Sequence, residues 1–238
     1  YSKTAMQYFS PELVRLCDKQ LLNEYLYYYY YKEEALQAIK DSGETRGEQI
    51  ARINHEMRQD LRRIDVKTNP AEAFDIWMRH YLRRENSYMQ NESQQEKFHT
   101  RESLTLQQFI EAPDSGGYAG VALDILEAVN SNITKRIVVS ISNNDTLDFL
   151  QPDDVIEISC DLSKEGLKPV KPIHVPTAQK NMISCVKEYE RLAVEAILNQ
   201  DRTLAVRALM AHPLVGSWSL AEKLVAAYLQ GPQFQNWK

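Results

Sequence analysis

Cysteine, glycine and proline are scarce in this sequence of 238 residues, which has 3 Cys, 8 Gly and 9 Pro. So few glycines and prolines exclude a collagen-like or low-complexity chain. Cys17, Cys160 and Cys185 stand far apart with no CxxC spacing. This pattern offers neither a zinc knuckle nor a disulfide framework, and it is typical of a protein from a reducing compartment.

Long apolar runs and an excess of basic residues are also missing. No stretch approaches the ~20 consecutive apolar residues that span a bilayer. Lys and Arg together number 28 against 33 Asp and Glu, so the formal net charge is −5. A mildly acidic chain without a basic block is a poor candidate for nucleic-acid binding. We therefore expect neither a nucleic acid nor a membrane among the partners.

The sequence lacks the common catalytic motifs. It contains no GxSxG, GxxxxGK[ST] or GxGxxG pattern. The histidines show no metal-ligand spacing such as HExxH, so each is expected to be structural or exposed. These histidines are His55, His80, His99, His174 and His212. The residues by themselves contain no complete active site.

Helical patterns dominate both ends of the chain. Ser10-Pro11 predicts the start of a helix, with an N-cap serine followed by proline at the first helical position. From Tyr25 to Ile39 the sequence predicts one continuous helix, which ends before Gly43. Isoleucine, methionine and leucine recur at helical spacing between residues 50 and 64. The polar segment 91–103 predicts a loop.

The apolar period changes in the middle of the chain. The β-branched run Ile137–Ile141 predicts a buried strand, and the alternation over 156–160 predicts a half-buried one. Proline punctuates the segment Pro169–Pro176, which predicts an extended conformation. Helical spacing returns from residue 186 to residue 228. The predicted fold class is α+β, mostly helical with a small central sheet.

Tyr25 and the run Tyr27–Tyr31 are the most unusual feature. On a helix these side chains point in every direction, so one core stripe cannot bury them all. Most are expected to be core or interface aromatics. A tyrosine acts as a base only where nearby positive charge lowers its pKa from about 10. Arg46 is either a surface or capping residue or, beside the free amides of a helix N-terminus, an anion ligand.

Short segments spread along the chain share the order of motifs in one enzyme family. They are Asn23–Leu26, Thr45–Glu48, Gly116–Gly120, Pro152–Ile158, Lys187–Leu192 and His212–Val215. In series they resemble glycoside hydrolase family 4, the NAD- and metal-dependent phospho-glycosidases, and most closely its 6-phospho-β-glucosidase branch. The resemblance implies a fold similar to the C-terminal domain of lactate and malate dehydrogenases.

Members of this family begin with a dinucleotide-binding domain, and they hold a divalent metal, usually manganese, through a cysteine and a histidine. This chain begins with Tyr1 and has no Gly-rich turn. We therefore expect residues 1–238 to be a single C-terminal domain for substrate binding and oligomerisation, with the Rossmann domain absent from the chain. The complete enzyme is expected to be a cytoplasmic homo-oligomer that uses NAD and Mn²⁺, with neither bound to this chain alone.

The resemblance also implies a reaction on a phosphorylated disaccharide or glycoside. In this family NAD⁺ oxidises the C3 hydroxyl of the sugar, which makes the C2 proton acidic. A tyrosinate removes that proton, the aglycone leaves by elimination, water adds at C1 and the hydride returns to C3. Tyr25 stands at the position of this base. Arg46 matches an arginine near the bound substrate and its phosphate, where a planar guanidinium suits the oxyanions.

The position of the base leaves alternatives within the tyrosine run. The residue three before Tyr25 is often proline in relatives and is Leu22 here, so Tyr27 and Tyr28 remain candidates. The Tyr25-Leu26 pair, which matches the family pattern, favours Tyr25. The alternative functions are a phospho-α-glucosidase or hexuronidase of the same family, or a non-catalytic interaction domain in which the tyrosine run forms a subunit contact.

The missing Gly-rich turn leads to a first prediction. The chain by itself is expected neither to bind NAD⁺ nor to hydrolyse phosphoglycosides, because no segment offers the backbone amides that hold a pyrophosphate. Isothermal titration calorimetry with NAD⁺ is the measurement. A stoichiometric, micromolar isotherm would contradict this expectation.

Overall fold

The computed structural model describes residues 5–17, 22–93, 100–112, 117–172 and 174–238. The chain forms two compact units, Tyr1–Pro113 and Asp114–Lys238. In the described part of the first unit the α-helices are α1 (Pro11–Leu16), α2 (Tyr27–Tyr30), α3 (Lys32–Ser42), α4 (Arg46–Leu61), α5 (Pro70–Asn86), α6 (Gln90–Ser93) and α7 (Leu106–Glu111). The regular elements described in the second unit are α8 (Gly117–Asn130), β1 (Lys135–Ser142), β2 (Val155–Ser163), β3 (Gly166–Pro169), α9 (Thr177–Asn199), α10 (Arg202–Ala211), α11 (Trp218–Tyr228) and a 3₁₀ helix (Pro232–Phe234).

Local capping residues set several helix boundaries of the first unit. The Ser10 hydroxyl accepts a hydrogen bond from the Leu13 amide at 3.2 Å, which confirms the predicted start of α1. Gly43 ends α3 with a φ of 72°, in the left-handed region that glycine tolerates. Thr45 and Glu48 form a capping box at the start of α4. These boundaries follow from residues next to one another in sequence.

The predicted continuous helix from Tyr25 to Ile39 is wrong. A 3₁₀ helix (Glu24–Leu26) precedes α2, and the chain leaves helical geometry at Tyr31, with φ −125° and ψ 45°. The Tyr31 ring stacks on Tyr27 with 5.1 Å between centroids, and its hydroxyl accepts from the Ser10 amide at 2.9 Å. These tertiary contacts outweigh the helix propensity of the segment.

The second unit contains the predicted sheet. Its described strands are antiparallel in the order β1-β2-β3, and Ile137 of β1 lies opposite Cys160 of β2. Helix α8 covers the sheet through Ala128, which packs with Ile137 and Leu162. The α+β class is thereby confirmed, although β3 was not expected and reaches the predicted extended segment only at Pro169. Among the helices described here, none is long and apolar enough to cross a membrane.

Asn143 organises the loop between β1 and β2. Its side chain is 0% exposed. The amide group donates to the carbonyl oxygens of Leu147, Leu150 and Gln151 at 3.0, 3.3 and 3.1 Å, and its oxygen accepts from the Leu147 amide at 2.7 Å. One asparagine thus joins four backbone groups of this loop through hydrogen bonds.

Asn143→Ala is therefore expected to lower the free energy of unfolding by about 2–4 kcal/mol, because it removes four hydrogen bonds made by a fully buried side chain. Urea denaturation followed by circular dichroism measures the change. Asn132→Ala, at an exposed position, is the control and is expected to cost less than about 0.5 kcal/mol. Equal losses for the two variants would contradict the role of Asn143.

Candidate functional site

A cavity of about 450 Å³ lies within the first unit. It is bounded by the 3₁₀ helix at Glu24–Leu26, by the start of α4, by the end of α5 and by residue 101. The lining residues are Glu24, Tyr25, Arg46, Ile50, Arg84, Glu85, Asn86, Tyr88 and Arg101. The fold therefore brings Tyr25 and Arg46, the two site residues expected from the sequence, to one cavity.

Tyr25 sits in the 3₁₀ helix, which Asn23 caps. The Asn23 side-chain oxygen accepts from the backbone amides of Tyr25 at 3.0 Å and Leu26 at 3.3 Å. The Tyr25 side chain stays 66% exposed. Capping by Asn23 thus holds the backbone while the phenol remains accessible.

Tyr27 and Tyr28, the other candidate bases, lie in a different environment. Tyr27 is only 5% exposed and packs against Tyr8 and Phe9 in an aromatic core. Burial raises the pKa of Tyr27. Burial also raises the pKa of Tyr28, and the charge of Glu92 and a hydrogen bond with it raise that pKa further. Both phenols are harder to ionise than a free tyrosine.

Arg46 holds the end of α5. One guanidinium nitrogen, Nη1, donates to the hydroxyl of Ser87 at 2.8 Å, to its carbonyl at 3.3 Å and to the Gln49 side chain. The other, Nη2, donates to the Arg84 carbonyl at 2.6 Å. A positive group at the last carbonyls of a helix also compensates the negative end of its dipole. Burial lowers the pKa of Arg46, an effect too weak to neutralise a guanidinium.

The helix N-terminus next to Arg46 was expected to offer free amides to an anion. In the structure the capping box uses part of this terminus, because the Thr45 hydroxyl accepts from the Glu48 amide at 3.3 Å. The Glu48 carboxylate in turn accepts from the Thr45 amide at 2.7 Å. Positive charge in the cavity therefore comes mainly from the arginine side chains.

Sequence reasoning missed Arg84, Tyr88 and Arg101. Arg101 lies in the segment predicted as a loop, of which 91–93 belong to α6 and 94–99, with His99, lie outside the described residues. Its guanidinium donates to the Tyr81 hydroxyl at 2.6 Å and pairs with Glu85 at 3.4 Å. No local pattern distinguishes these residues from ordinary surface side chains.

Comparison with known proteins identifies the chain. Residues 6–215 match the family model for the family 4 glycosyl hydrolase C-terminal domain. The chain belongs to glycoside hydrolase family 4. The match confirms the resemblance seen in the sequence motifs, of which Gly116 lies outside the described residues.

Several curated proteins are similar to this family 4 chain. A probable 6-phospho-beta-glucosidase from Bacillus subtilis (strain 168) is 26% identical over 124 residues, which cover 50% of this chain and 28% of that protein. The 6-phospho-beta-glucosidase BglT from Thermotoga maritima is 30% identical over 97 residues, covering 41% and 23%. The phospho-alpha-glucosidase PagL from Clostridium acetobutylicum is 24% identical over 112 residues, covering 47% and 25%. The chain thus aligns with about a quarter of the length of these relatives.

A solved structure extends the likeness over nearly the whole chain. The 6-phospho-beta glucosidase from Thermotoga maritima, solved with NAD and glucose-6-phosphate, matches with a TM-score of 0.61 at 20% identity. The match covers 93% of this chain and 44% of that one. At this level of identity the likeness concerns the fold, and it agrees with the α+β class.

Divalent metals in proteins are held by clusters of acidic, histidine and cysteine side chains. Within the described ranges no group of three or more of these side chains could hold a metal. The buried His80 bonds instead to Asp60 at 3.0 Å and to Arg83 at 3.3 Å. The side chains described here therefore do not form a metal centre.

The contacts of Arg46 in this family 4 chain predict a large effect on stability. Arg46→Ala is expected to lower the free energy of unfolding by about 1.5–3 kcal/mol, because charge-assisted hydrogen bonds to carbonyls of α5 are lost. Urea denaturation measures the change. Arg84→Ala is the control. Arg84 accepts the hydrogen bond from Arg46 with its backbone carbonyl, and alanine retains that carbonyl. A loss for Arg84→Ala as large as that for Arg46→Ala would contradict this assignment.

Proposed function

We propose that this chain forms the substrate-binding part of a 6-phospho-β-glucosidase that depends on NAD and a divalent metal. The observation that carries the proposal is the cavity of the first unit, where Tyr25 and Arg46 lie together with Arg84 and Arg101. In this proposal the substrate is a phosphorylated glycoside, and Tyr25 is the group that takes its C2 proton.

The environments of the tyrosines support Tyr25 as the base. A base has to lose its own proton before it accepts another, and burial opposes the formation of a phenolate. Tyr27 is buried and Tyr28 is half-buried, and the pKa values of both are raised. Tyr25 is exposed and shares its cavity with three arginines, so burial does not oppose its role as the base.

The charges of the cavity support a phosphorylated substrate. The cations Arg46, Arg84 and Arg101 outnumber the carboxylates Glu24 and Glu85 among the lining residues. Guanidinium groups present planar pairs of N–H donors that match phosphate oxygens. The Arg46 guanidinium is bonded to the end of α5, so its role is to contribute charge and to fix the shape of the cavity. The side chains of Arg84 and Arg101 are exposed and are therefore better placed to bind the phosphate.

The reaction we propose follows the family pattern of C3 oxidation, C2 deprotonation and elimination. When bound, NAD⁺ and the metal make the C2 proton acidic by oxidising C3 and polarising the resulting carbonyl. Since the side chains described here form no metal centre, this chain is assigned the tasks of binding the sugar phosphate and holding the base. We favour the β-glycoside because the probable 6-phospho-beta-glucosidase from B. subtilis and the 6-phospho-beta-glucosidase BglT from T. maritima are 26% and 30% identical to this chain, against 24% for PagL.

The role of Tyr25 is testable in the enzyme that combines this chain with its nucleotide-binding domain. Tyr25→Phe keeps the ring but removes the group that takes the C2 proton, so turnover of chromogenic 6-phospho-β-glucosides is expected to fall by ~10²–10⁴-fold. Tyr27→Phe and Tyr28→Phe are matched controls, because they remove hydroxyls of the same segment from residues that do not line the cavity, and they are expected to cost far less.

A substrate deuterated at C2 shows whether proton removal limits the rate. A Tyr25→Phe enzyme near wild-type turnover, with a collapse for Tyr27→Phe or Tyr28→Phe, would move the base to another tyrosine. Hydrolysis of 6-phospho-α-glucosides in preference to the β-anomers would instead contradict the proposed specificity.

A further inference from the structure

Arg101 enters the cavity of the first unit from an irregular segment that precedes α7. Asn86, the last residue of α5, bonds to the backbone of this segment with both ends of its side-chain amide. Its Oδ1 accepts from the Arg101 amide at 2.9 Å, and its Nδ2 donates to the Arg101 carbonyl at 3.1 Å. Because both backbone polar groups of Arg101 are engaged, Asn86 fixes where this residue lies relative to the end of α5.

Two side chains of α5 orient the Arg101 guanidinium. Its Nη1 donates to the Tyr81 hydroxyl at 2.6 Å, and its Nη2 lies 3.4 Å from the Glu85 carboxylate. The Tyr81 ring stacks on Trp77 with 4.9 Å between centroids, which holds the accepting hydroxyl in place. The Arg101 side chain remains 63% exposed. Other N–H donors of the fork are therefore available to a ligand in the cavity.

A second contact fastens the same segment farther along the chain. Phe109 of α7 packs against Phe74 and Trp77 of α5, with 5.3 and 5.7 Å between ring centroids. Residues 101–109 are thus attached to α5 at both ends, by the Asn86 amide at one end and by aromatic packing at the other. The position of Arg101 follows from these contacts with α5.

Arg84, the other exposed arginine of the cavity, is not held in this way. Its side chain makes no hydrogen bond or ion pair with any residue that the structure describes. A long side chain that is free before binding loses rotamer entropy when a ligand orders it, and one that is already held loses less. Arg101 is therefore preorganised to bind an anion, whereas Arg84 is not.

We propose that Asn86 is a positioning residue that, together with the Tyr81 hydroxyl, presents the Arg101 guanidinium to the phosphate of the substrate. The identity of the anion rests on the proposed function, whereas the fixing of Arg101 rests on its hydrogen bonds. A guanidinium held in one orientation can donate two parallel hydrogen bonds to phosphate oxygens. Asn86 thus contributes to recognition of the phosphate through Arg101.

Amide hydrogen exchange of the chain tests whether Asn86 fixes Arg101. Asn86→Ala is expected to speed exchange of the Arg101 amide by about fivefold, because it removes the acceptor of that N–H. Asn69→Ala is the matched control. Asn69 precedes the other end of α5, and its amide donates to the Asp65 carbonyl at 3.1 Å and to the Thr68 hydroxyl at 3.0 Å. Equal exchange at Arg101 in Asn86→Ala and the wild-type protein would overturn the proposal.

Kinetics of the enzyme that includes the nucleotide-binding domain test the positioning role. Arg101→Ala is expected to raise KM for a 6-phospho-β-glucoside by about 10–100-fold, and Asn86→Ala by about fivefold, with little change in kcat. Once Arg101 is alanine, the further change Asn86→Ala is expected to alter KM by less than about twofold, because Asn86 acts through Arg101. A merely structural effect would persist in that background.

Tyr81→Phe is a second variant that keeps the ring on Trp77 and removes only the hydroxyl. It provides the test if Asn86→Ala does not fold. It is expected to raise KM by about threefold, and this effect should also vanish in the Arg101→Ala background. An undiminished effect of either variant in that background, or a KM increase in Asn69→Ala as large as that in Asn86→Ala, would overturn the positioning role.

Binding of glucose 6-phosphate, measured by calorimetry, separates this proposal from the proposed function. If the wild-type enzyme hydrolyses no phosphoglycoside but the variants weaken this binding in the same non-additive way, the proposed function fails and the positioning role stands. An active enzyme whose KM and glucose 6-phosphate affinity are unchanged by Asn86→Ala would overturn the positioning role and leave the proposed function in place. A wild-type enzyme that neither binds glucose 6-phosphate nor hydrolyses phosphoglycosides would overturn both.

Discussion

The contact between the Arg46 guanidinium and the end of α5 connects the parts of the first unit that form the cavity. Two of its nitrogens reach the carbonyl of Arg84 and both oxygens of Ser87. The start of α4 is thereby joined to the turn that carries Tyr88. A lysine could supply the charge but not the fixed fork of donors that reaches several oxygens at once. The arginine therefore shapes the cavity as well as charging it.

The helix is interrupted at Tyr31, and this break explains why some tyrosines of the segment lie in the aromatic core while Tyr25 lines the cavity. One regular helix would distribute the rings around its axis at a fixed angle. The break lets Tyr31 stack on Tyr27 and bond to Ser10, which completes the aromatic core around Phe9. Tyr25 is left outside this core, in its own 3₁₀ helix. Chemically identical side chains thus receive different environments, and environment decides which phenol ionises most easily.

The electrostatics of the cavity suit an anionic group of a substrate. Among the lining residues the arginines Arg46, Arg84 and Arg101 outnumber the carboxylates Glu24 and Glu85. Guanidinium N–H groups match the oxygens of a phosphate in planar pairs. The cavity therefore combines an exposed phenol with an excess of positive charge.

The sequence by itself determined the features that depend on near neighbours. Ser10, Gly43 and the Thr45–Glu48 box mark their helix ends through bonds within a few residues. A β-branched run identified β1, although its residues alternate in exposure instead of being buried throughout, and alternation identified β2. The order of short motifs was enough to identify the family. The tertiary structure alone decided that Tyr25, Arg46 and Tyr88 line one cavity, and that Tyr31 ends a helix. These outcomes arise from contacts between residues far apart in the chain, such as a guanidinium bonded to the carbonyls of another helix, and such contacts leave no periodic pattern in the sequence.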